Sequence, residues 1–191
     1  MVEIDRDFPK KWPYGILKTV QWLGSLVLLI TLLSSPFAFG GTGFVLFCGS
    51  TMFLVGLLSW IAHLLSFQRR TFTVGQMAAF IPFAFLDFIY SALFFILFGI
   101  SALICFVSIF LSIGYTASLF FAYLFATLFC LLVGATCGYI AILLYRATPN
   151  GLIINLRSVI IEGDKTTIFN PGGQPNVGNP SAGNYPQGNP V

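Results

Sequence analysis

Four long runs of apolar residues, separated by short polar or turn-forming segments, dominate the sequence. Each run exceeds the ~18–20 residues that an α-helix needs to cross about 30 Å of hydrocarbon. The runs predict membrane-spanning helices at about 15–35, 43–67, 79–110 and 118–145. The last two are divided at 111–116, because the apolar stretch that contains them is too long for one helix and suits two. We therefore expect an all-α membrane protein, a four-transmembrane-helix bundle.

The charged residues predict the orientation of this bundle. Every lysine and arginine lies outside the apolar interiors of the runs and on one side of them: Arg6, Lys10, Lys11 and Lys18 before or at the start of the first run, Arg69 and Arg70 between the second and third, and Arg146, Arg157 and Lys165 after the fourth. The connections 36–42 and 111–116 carry no charge. Because short basic segments are retained in the cytoplasm, we expect both termini to be cytoplasmic.

Composition supports the same interpretation. The chain is 57% hydrophobic and 8% charged, against roughly 25% charged for an average soluble domain, which excludes an ordinary soluble globule. The net charge of +3 gives no reason to expect nucleic-acid binding. The basic residues adjoin the ends of the predicted spans, where they orient helices and face anionic lipid.

A cleaved signal peptide is the main alternative for the first run. Its basic region would contain Lys10, Lys11 and Lys18, its apolar region would be 23–33 and its small-residue cleavage site would be 38–40. The basic region is long for a signal peptide and contains acidic residues. We therefore expect the first run to remain as a helix.

Three further segments surround the predicted four-span domain, 14–147. Residues 1–13 form a polar cytoplasmic segment, with Trp12 and Tyr14 placed like aromatic anchors at a membrane interface. In 148–169 apolar residues recur at helical spacing, which favours a short amphipathic interfacial helix, although the β-branched content makes a strand nearly as plausible. The Asn-, Pro- and Gly-rich stretch 170–191 predicts a disordered cytoplasmic tail, open to cytoplasmic partners.

The fourth run carries a small residue at every fourth position, which we call the small-residue stripe: Ala122, Ala126, Cys130, Gly134 and Gly138. Lipid tails are as apolar as leucine, so membrane helices associate through close backbone approach at small residues. The stripe predicts an intimate helix contact. Its partner is either another helix of the chain or a second copy, which would make a homo-oligomer through span four.

Two ionisable residues, His63 and Asp87, lie within predicted spans. Both are expected near the cytoplasmic ends of neighbouring antiparallel helices, at depths that allow them to pair. A carboxylate in hydrocarbon is costly and is by default a candidate functional site. We expect a structural pin, in which Asp87 is protonated or hydrogen-bonded to His63 or Ser59, and the alternative is a proton or ion site.

The residue chemistry does not favour catalysis. The chain has a single histidine and lacks a metal-ligand cluster, a phosphate-binding glycine loop after a strand, and paired carboxylates. Its four cysteines show no C-x-x-C spacing and fall in predicted spans, where small apolar packing is their ordinary role. We expect no enzyme activity, no cofactor and no metal.

Three motifs resemble the MARVEL-domain family of the myelin-and-lymphocyte protein, plasmolipin and chemokine-like factor type. They are the Gly-Ile-Leu-Lys-Thr-Val-Gln opening of the first span at 15–21, the His-Leu-Leu end of the second at 63–65, and the stretch 81–92, in which Asp87 precedes small residues. The resemblance covers about 13–146, and the tail has no counterpart in it.

The resemblance implies a non-catalytic membrane organiser in vesicle trafficking or cholesterol-rich membrane apposition. Its implied partners are membrane lipids, including cholesterol, and its implied location is endomembrane vesicles or the plasma membrane. The competing class is a small transporter or channel component that uses Asp87 and His63. A claudin- or tetraspanin-like protein is disfavoured, because the chain has no large cysteine-bearing outer loop.

Overall fold

Four long helices make up most of the protein. The structure is a computed structural model that describes residues 5–67, 71–74 and 77–168, with side chains left undescribed at 71–74 and 77–80. The helices are α1 (Tyr14–Leu33), α2 (Thr42–Leu64), α3 (Phe83–Ser112) and α4 (Ala117–Arg146), and all four are long and apolar enough to cross a membrane. The basic residues Arg69 and Arg70 and the predicted disordered tail 170–191 lie outside the described residues.

The helix ends differ from the predicted spans where turn-forming residues intervene. The first span was expected to reach 35, but α1 ends at Leu33, because Pro36 disfavours helix at the residue before it. The second was expected to reach 67, but α2 ends at Leu64, and Ser66 has a left-handed backbone with φ of 52°.

The start of the third span is also corrected. It was expected at 79, whereas α3 begins at Phe83, directly after Pro82 at the N-cap. The preceding residues instead form an antiparallel hairpin, in which β1 (Thr71–Val74) pairs with β2 (Met77–Phe80).

The helices pack as a closed four-sided bundle. Each helix contacts its two neighbours in the order α1, α2, α3, α4 and back to α1, and α3 and α4 form the most extensive pair. The core contains large buried side chains from all four helices, including Leu28, Met52, Phe98 and Tyr123. Where α1 crosses α4, Gly24 lies so close to Val133 that a Cβ on it would come within 2.8 Å of that side chain.

One end of the bundle is uncharged, and aromatic residues close it. Tyr123 of α4 accepts a hydrogen bond from the Phe39 backbone N–H at 3.0 Å, and its hydroxyl lies 2.7 Å from that of Thr42. The rings of Phe37 and Phe39 both contact Tyr115 in the other connection of this end. The two short loops therefore pack on each other as well as on the helices.

The opposite end, which we call the basic end, is where α1 and α3 begin and α2 and α4 finish. Segments outside the helices cover it: a 3-10 helix at Phe8–Lys10, 3-10 turns at Pro149–Gly151 and Ile153–Ser158, and an antiparallel hairpin of β3 (Val159–Ile161) and β4 (Thr166–Ile168). The segment 148–169 was expected to be an amphipathic helix or a strand. Its described part contains two 3-10 segments followed by a hairpin, in which Gly163 allows a tight turn at φ of 91°.

Candidate functional site

Five polar side chains meet inside the basic end: Lys18 of α1, Ser59 and His63 of α2, and Asp87 and Tyr90 of α3. We call them the polar cluster. Lys18 and Asp87 are each the fifth residue of their helix, and His63 is the last residue but one of α2. Because α2 runs antiparallel to the other two helices, these positions come to the same level. Lys18, His63 and Asp87 are each only 1% exposed.

An ion pair is the centre of the polar cluster. The Nζ atom of Lys18 lies 2.6 Å from Oδ2 of Asp87. It also donates hydrogen bonds to the hydroxyl oxygens of Ser59 at 2.8 Å and Tyr90 at 3.0 Å. Ser59 in turn donates to Oδ1 of Asp87 at 2.9 Å. The hydroxyl of Ser59 therefore bridges the two charged groups.

The oxygen neighbours of the Lys18 ammonium match its donors in number, with two hydrogen bonds and one ion pair. A lysine ammonium has three donor hydrogens, and here three oxygen acceptors from two helices surround it. A buried charge pair offsets its desolvation only when the geometry is close and additional hydrogen bonds satisfy the remaining donors and acceptors. In the polar cluster, Oδ1 of Asp87 accepts a hydrogen bond from Ser59, and Oδ2 is held by the ion pair with Lys18 without a hydrogen bond.

His63 contacts the same carboxylate through its other edge. Its Nδ1 atom lies 2.7 Å from the backbone carbonyl oxygen of Ser59. A carbonyl oxygen only accepts, so Nδ1 carries the hydrogen. The Nε2 atom then faces Oδ2 of Asp87 at 3.5 Å. The expected contact between His63 and Asp87 is therefore present in the structure, but Lys18 is the closer partner of the carboxylate.

The chain before α1 covers the polar cluster. The Phe8 side chain is fully buried and stacks on the ring of His63, with centroids 5.3 Å apart, while Phe83 contacts that ring edge-on at 5.7 Å. The Asp5 backbone N–H donates to the carbonyl oxygen of Leu64 at 2.9 Å. Residues 5–12, which we call the N-terminal cap, therefore separate the polar cluster from the solvent at the basic end.

The sequence interpretation of Lys18 is corrected. It was grouped with the basic residues outside the apolar interior, but it is buried inside α1, where it neutralises Asp87. The signal that identifies it is its spacing with Gln21 and Ser25. These three polar residues recur at three- and four-residue intervals, so they share one helix face, and all three are buried.

The small-residue stripe lies against α3 of the same chain. Ala126, Cys130 and Gly134 are buried, while Ala122 and Gly138 are half-buried. A Cβ on Gly134 would lie 3.2 Å from the Cβ of Phe98, and one on Gly138 would lie 2.8 Å from the ring of Phe95. The thiol of Cys130 is beside that of Cys105. The stripe therefore provides the close contact between α3 and α4.

The described residues contain no group of three or more His, Cys, Asp or Glu side chains able to hold a metal ion. The four cysteines are free thiols, and all are buried. The length and apolar composition of the four helices indicate a multi-pass membrane protein. The chain matches no family model, no curated protein and no solved structure.

Proposed function

We propose that this protein is a non-catalytic membrane organiser of the MARVEL type, acting in vesicle trafficking or at cholesterol-rich membrane appositions. In this proposal both termini are cytoplasmic, so the basic end faces the cytoplasm, and the protein resides in endomembrane vesicles or the plasma membrane. The observation that carries the proposal is the closed polar cluster, whose charges are paired with each other and covered by the N-terminal cap.

The closed cluster favours a structural role because none of its charges is left for a substrate. The ammonium of Lys18 already has three acceptors, and Asp87 has a partner at each carboxylate oxygen. A transported ion would have to displace these contacts inside a buried site. The same contacts join α1, α2 and α3, as expected for a group that fixes helix positions.

The outward faces of the helices favour lipid as the main partner. Large apolar side chains are exposed along every helix, and they include Leu33, Leu58, Leu103 and Leu131. Exposed apolar surface of this extent is characteristic of a membrane environment or an interaction site. In the proposed role, these faces contact the acyl chains of the membrane that the protein organises.

A small transporter or channel component remains the second candidate, and one observation favours it. Among the described residues, the buried side-chain atoms without a hydrogen-bond partner include Nε2 of His63 in the polar cluster, Oε1 of Gln21 and Oγ of Ser91. The last two lie further along their helices than the ion pair. However, the hydroxyls of Ser101, Ser108 and Thr127 donate to carbonyl oxygens of their own helices. They are therefore poorly suited to continue a polar path to the uncharged end.

The two candidates are separated by paired experiments on the full chain. A tagged protein should localise to vesicles or the plasma membrane, and cholesterol depletion should redistribute it. Purified protein in proteoliposomes should show no proton or ion flux above that of empty vesicles. A uniform distribution that is insensitive to cholesterol would contradict the organiser role. A flux in the wild type that is lost in stable Asp87→Asn protein would favour the transporter.

A further inference from the structure

The chain does not leave the bundle where α4 ends. After Arg146 it turns back, and three of its apolar side chains are buried against the bases of α1, α3 and α4. The buried residues are Leu156, Val159 and Ile161, which form one cluster with Tyr14, Leu17, Ala84, Ile140 and Leu144. Residues 147–161, which we call the return segment, are therefore anchored to the bundle by a small core of their own.

The return segment lies beside the helix ends and not beyond them. The cluster that contains its buried side chains extends to Ile140, about 9 Å from the end of α4 at 1.5 Å per helical residue. The guanidinium group of Arg157 lies 5.1 Å from the ring centroid of Phe85, which is the third residue of α3. A segment at the level of the first turn of a membrane-spanning helix is at the depth of the lipid headgroups and the upper acyl chains.

The outward side of the return segment is apolar. Leu152, Ile153 and Ile154 are consecutive, and they are 59%, 41% and 58% exposed. A hydrogen bond of 3.0 Å from the Asn155 side-chain amide to the Pro149 carbonyl oxygen holds the turn that presents them. We call these three residues the aliphatic ridge. On α4, the apolar side chain of Ile142 is likewise exposed, at 52%.

Cationic groups accompany the ridge. From residue 141 to residue 161, the charged residues of the sequence are Arg146 and Arg157, and both are exposed. In the hairpin turn that follows, Glu162 pairs with Lys165, and Asp164 is exposed. Apolar side chains that insert at the headgroup boundary, accompanied by basic groups, are the pattern of segments that lie in the interface of an anionic membrane. The charges and the apolar surface of this segment therefore both indicate an anionic membrane as its partner.

We propose that the aliphatic ridge inserts into the headgroup–acyl boundary at the basic end, and that Arg146 and Arg157 bind the headgroups of anionic phospholipids there. The fourth helix is thus followed by an interfacial anchor that selects lipid by charge. This inference extends the proposed function by naming a lipid class. It depends on the membrane placement of the helices and does not depend on the trafficking role.

Insertion of the ridge is tested by the depth of a spin label in vesicles. The full chain would carry the label at Ile153→Cys or, as an aqueous control, at Asp164→Cys in the exposed turn between β3 and β4. Wild-type protein reports any labelling of the buried native thiols. We expect collisions with lipid-soluble oxygen to dominate at position 153 and collisions with a water-soluble nickel chelate to dominate at position 164. Equal nickel accessibility at the two positions would overturn the proposal.

Headgroup selection is tested with spin-labelled phosphatidylserine and phosphatidylcholine bound to the same reconstituted protein. Arg146→Gln and Arg157→Gln should each lower the preference for phosphatidylserine by roughly fivefold, since each basic group near an anionic surface contributes about that factor. Arg157→Lys should retain the preference. Arg6→Gln, which removes an exposed charge from the N-terminal cap, should leave it unchanged.

The outcomes separate this inference from the proposed function. The ridge could be inserted while Arg6→Gln lowers the preference for phosphatidylserine as much as Arg157→Gln does. In that case the general surface charge selects the lipid, and the assignment of Arg146 and Arg157 as the headgroup site is wrong. If the ridge is water-exposed in vesicles, its natural cover is a protein, and the proposal fails. Neither result alters the localisation and flux measurements that test the organiser role.

Discussion

Burying an ammonium and a carboxylate between apolar helices is costly for each group alone and tolerable only when the two meet. In this protein, the contact between Lys18 and Asp87 is 2.6 Å, and Ser59 and Tyr90 complete the coordination of the ammonium. We therefore expect substitutions of Lys18 or Asp87 to have the largest effects on stability. Removing one charge leaves the other buried and unpaired, whereas removing both leaves no unpaired charge.

The first prediction is a rescue between these two residues. Asp87→Leu and Lys18→Met should each lower the free energy of unfolding by about 3–5 kcal/mol, the usual effect of breaking a buried pair. The double variant should recover most of that loss. Asp87→Asn should be less harmful than Asp87→Leu, because its amide oxygen still accepts hydrogen bonds. Unfolding of the purified variants in one detergent measures all four, and a double variant no more stable than the single ones would contradict the prediction.

The second prediction concerns the N-terminal cap. Phe8 is fully buried on the ring of His63, so Phe8→Ala should destabilise the basic end by about 3–5 kcal/mol, as for other buried aromatic truncations. Trp12 is 57% exposed, and Trp12→Ala is the matched control with a small expected effect. Proteolysis of the N-terminal segment in detergent would report the opening. Equal protection of the two variants would show that Phe8 does not hold the cap.

At the scale of the helices, the most extensive packing is between α3 and α4. The small-residue stripe allows this contact, because its glycines remove the side chains that would separate the backbones. Gly134 lies against Phe98, while Gly99 of α3 faces open space with no atom within 4 Å of an added Cβ. One glycine is therefore in a crowded environment and the other is in an open one. The same substitution at both positions tests whether the crowded glycine is needed for packing.

The third prediction uses this pair. Gly134→Leu should separate α3 from α4 and lower stability by about 1–3 kcal/mol or more, the range for overpacking a well-packed core. Gly99→Leu should be neutral or slightly stabilising, since leucine has the higher helix propensity and meets no neighbour. Thermal unfolding of the two variants in the same detergent decides the point. If both variants unfold at the wild-type temperature, the stripe is not a packing surface.

The helices were predictable from the sequence to a greater extent than the site. Apolar runs long enough to cross the hydrocarbon core of a bilayer require helices. The sequence therefore located all four helices within a few residues. Their ends depended on particular turn residues, as at Pro82 and Ser66. The contact between His63 and Asp87 followed from matched depth along neighbouring helices. Lys18 was missed because a basic residue near the start of a span has the same sequence appearance whether it reaches solvent or a buried carboxylate.

At the scale of the whole molecule, the two ends of the bundle differ in kind. The uncharged end is closed by aromatic contacts among Phe37, Phe39 and Tyr115, whereas the basic end is covered by the N-terminal cap and the return segment. The helices also differ in length. With 20 residues α1 is about 30 Å long, and with 30 residues α3 and α4 are each about 45 Å long. The polar cluster joins α1 and α3 near the starts of both helices. The extra length of the longer helices therefore lies at the uncharged end.

The last prediction is the orientation of this asymmetric bundle. Single cysteines would be introduced at Asp7 in the N-terminal cap, at Gly114 between α3 and α4, and at Asp164 in the turn after β3. All three sites are exposed, and a Cβ on Gly114 meets no neighbour. A membrane-impermeant thiol reagent added to intact cells should label position 114 in protein at the plasma membrane. Positions 7 and 164 should react only after permeabilisation, because basic segments are retained in the cytoplasm. Wild-type protein controls for its buried native thiols. Labelling of 114 and 164 from the same face would rule out four spans, and labelling of 7 and 164 from outside alone would reverse the orientation while retaining the bundle.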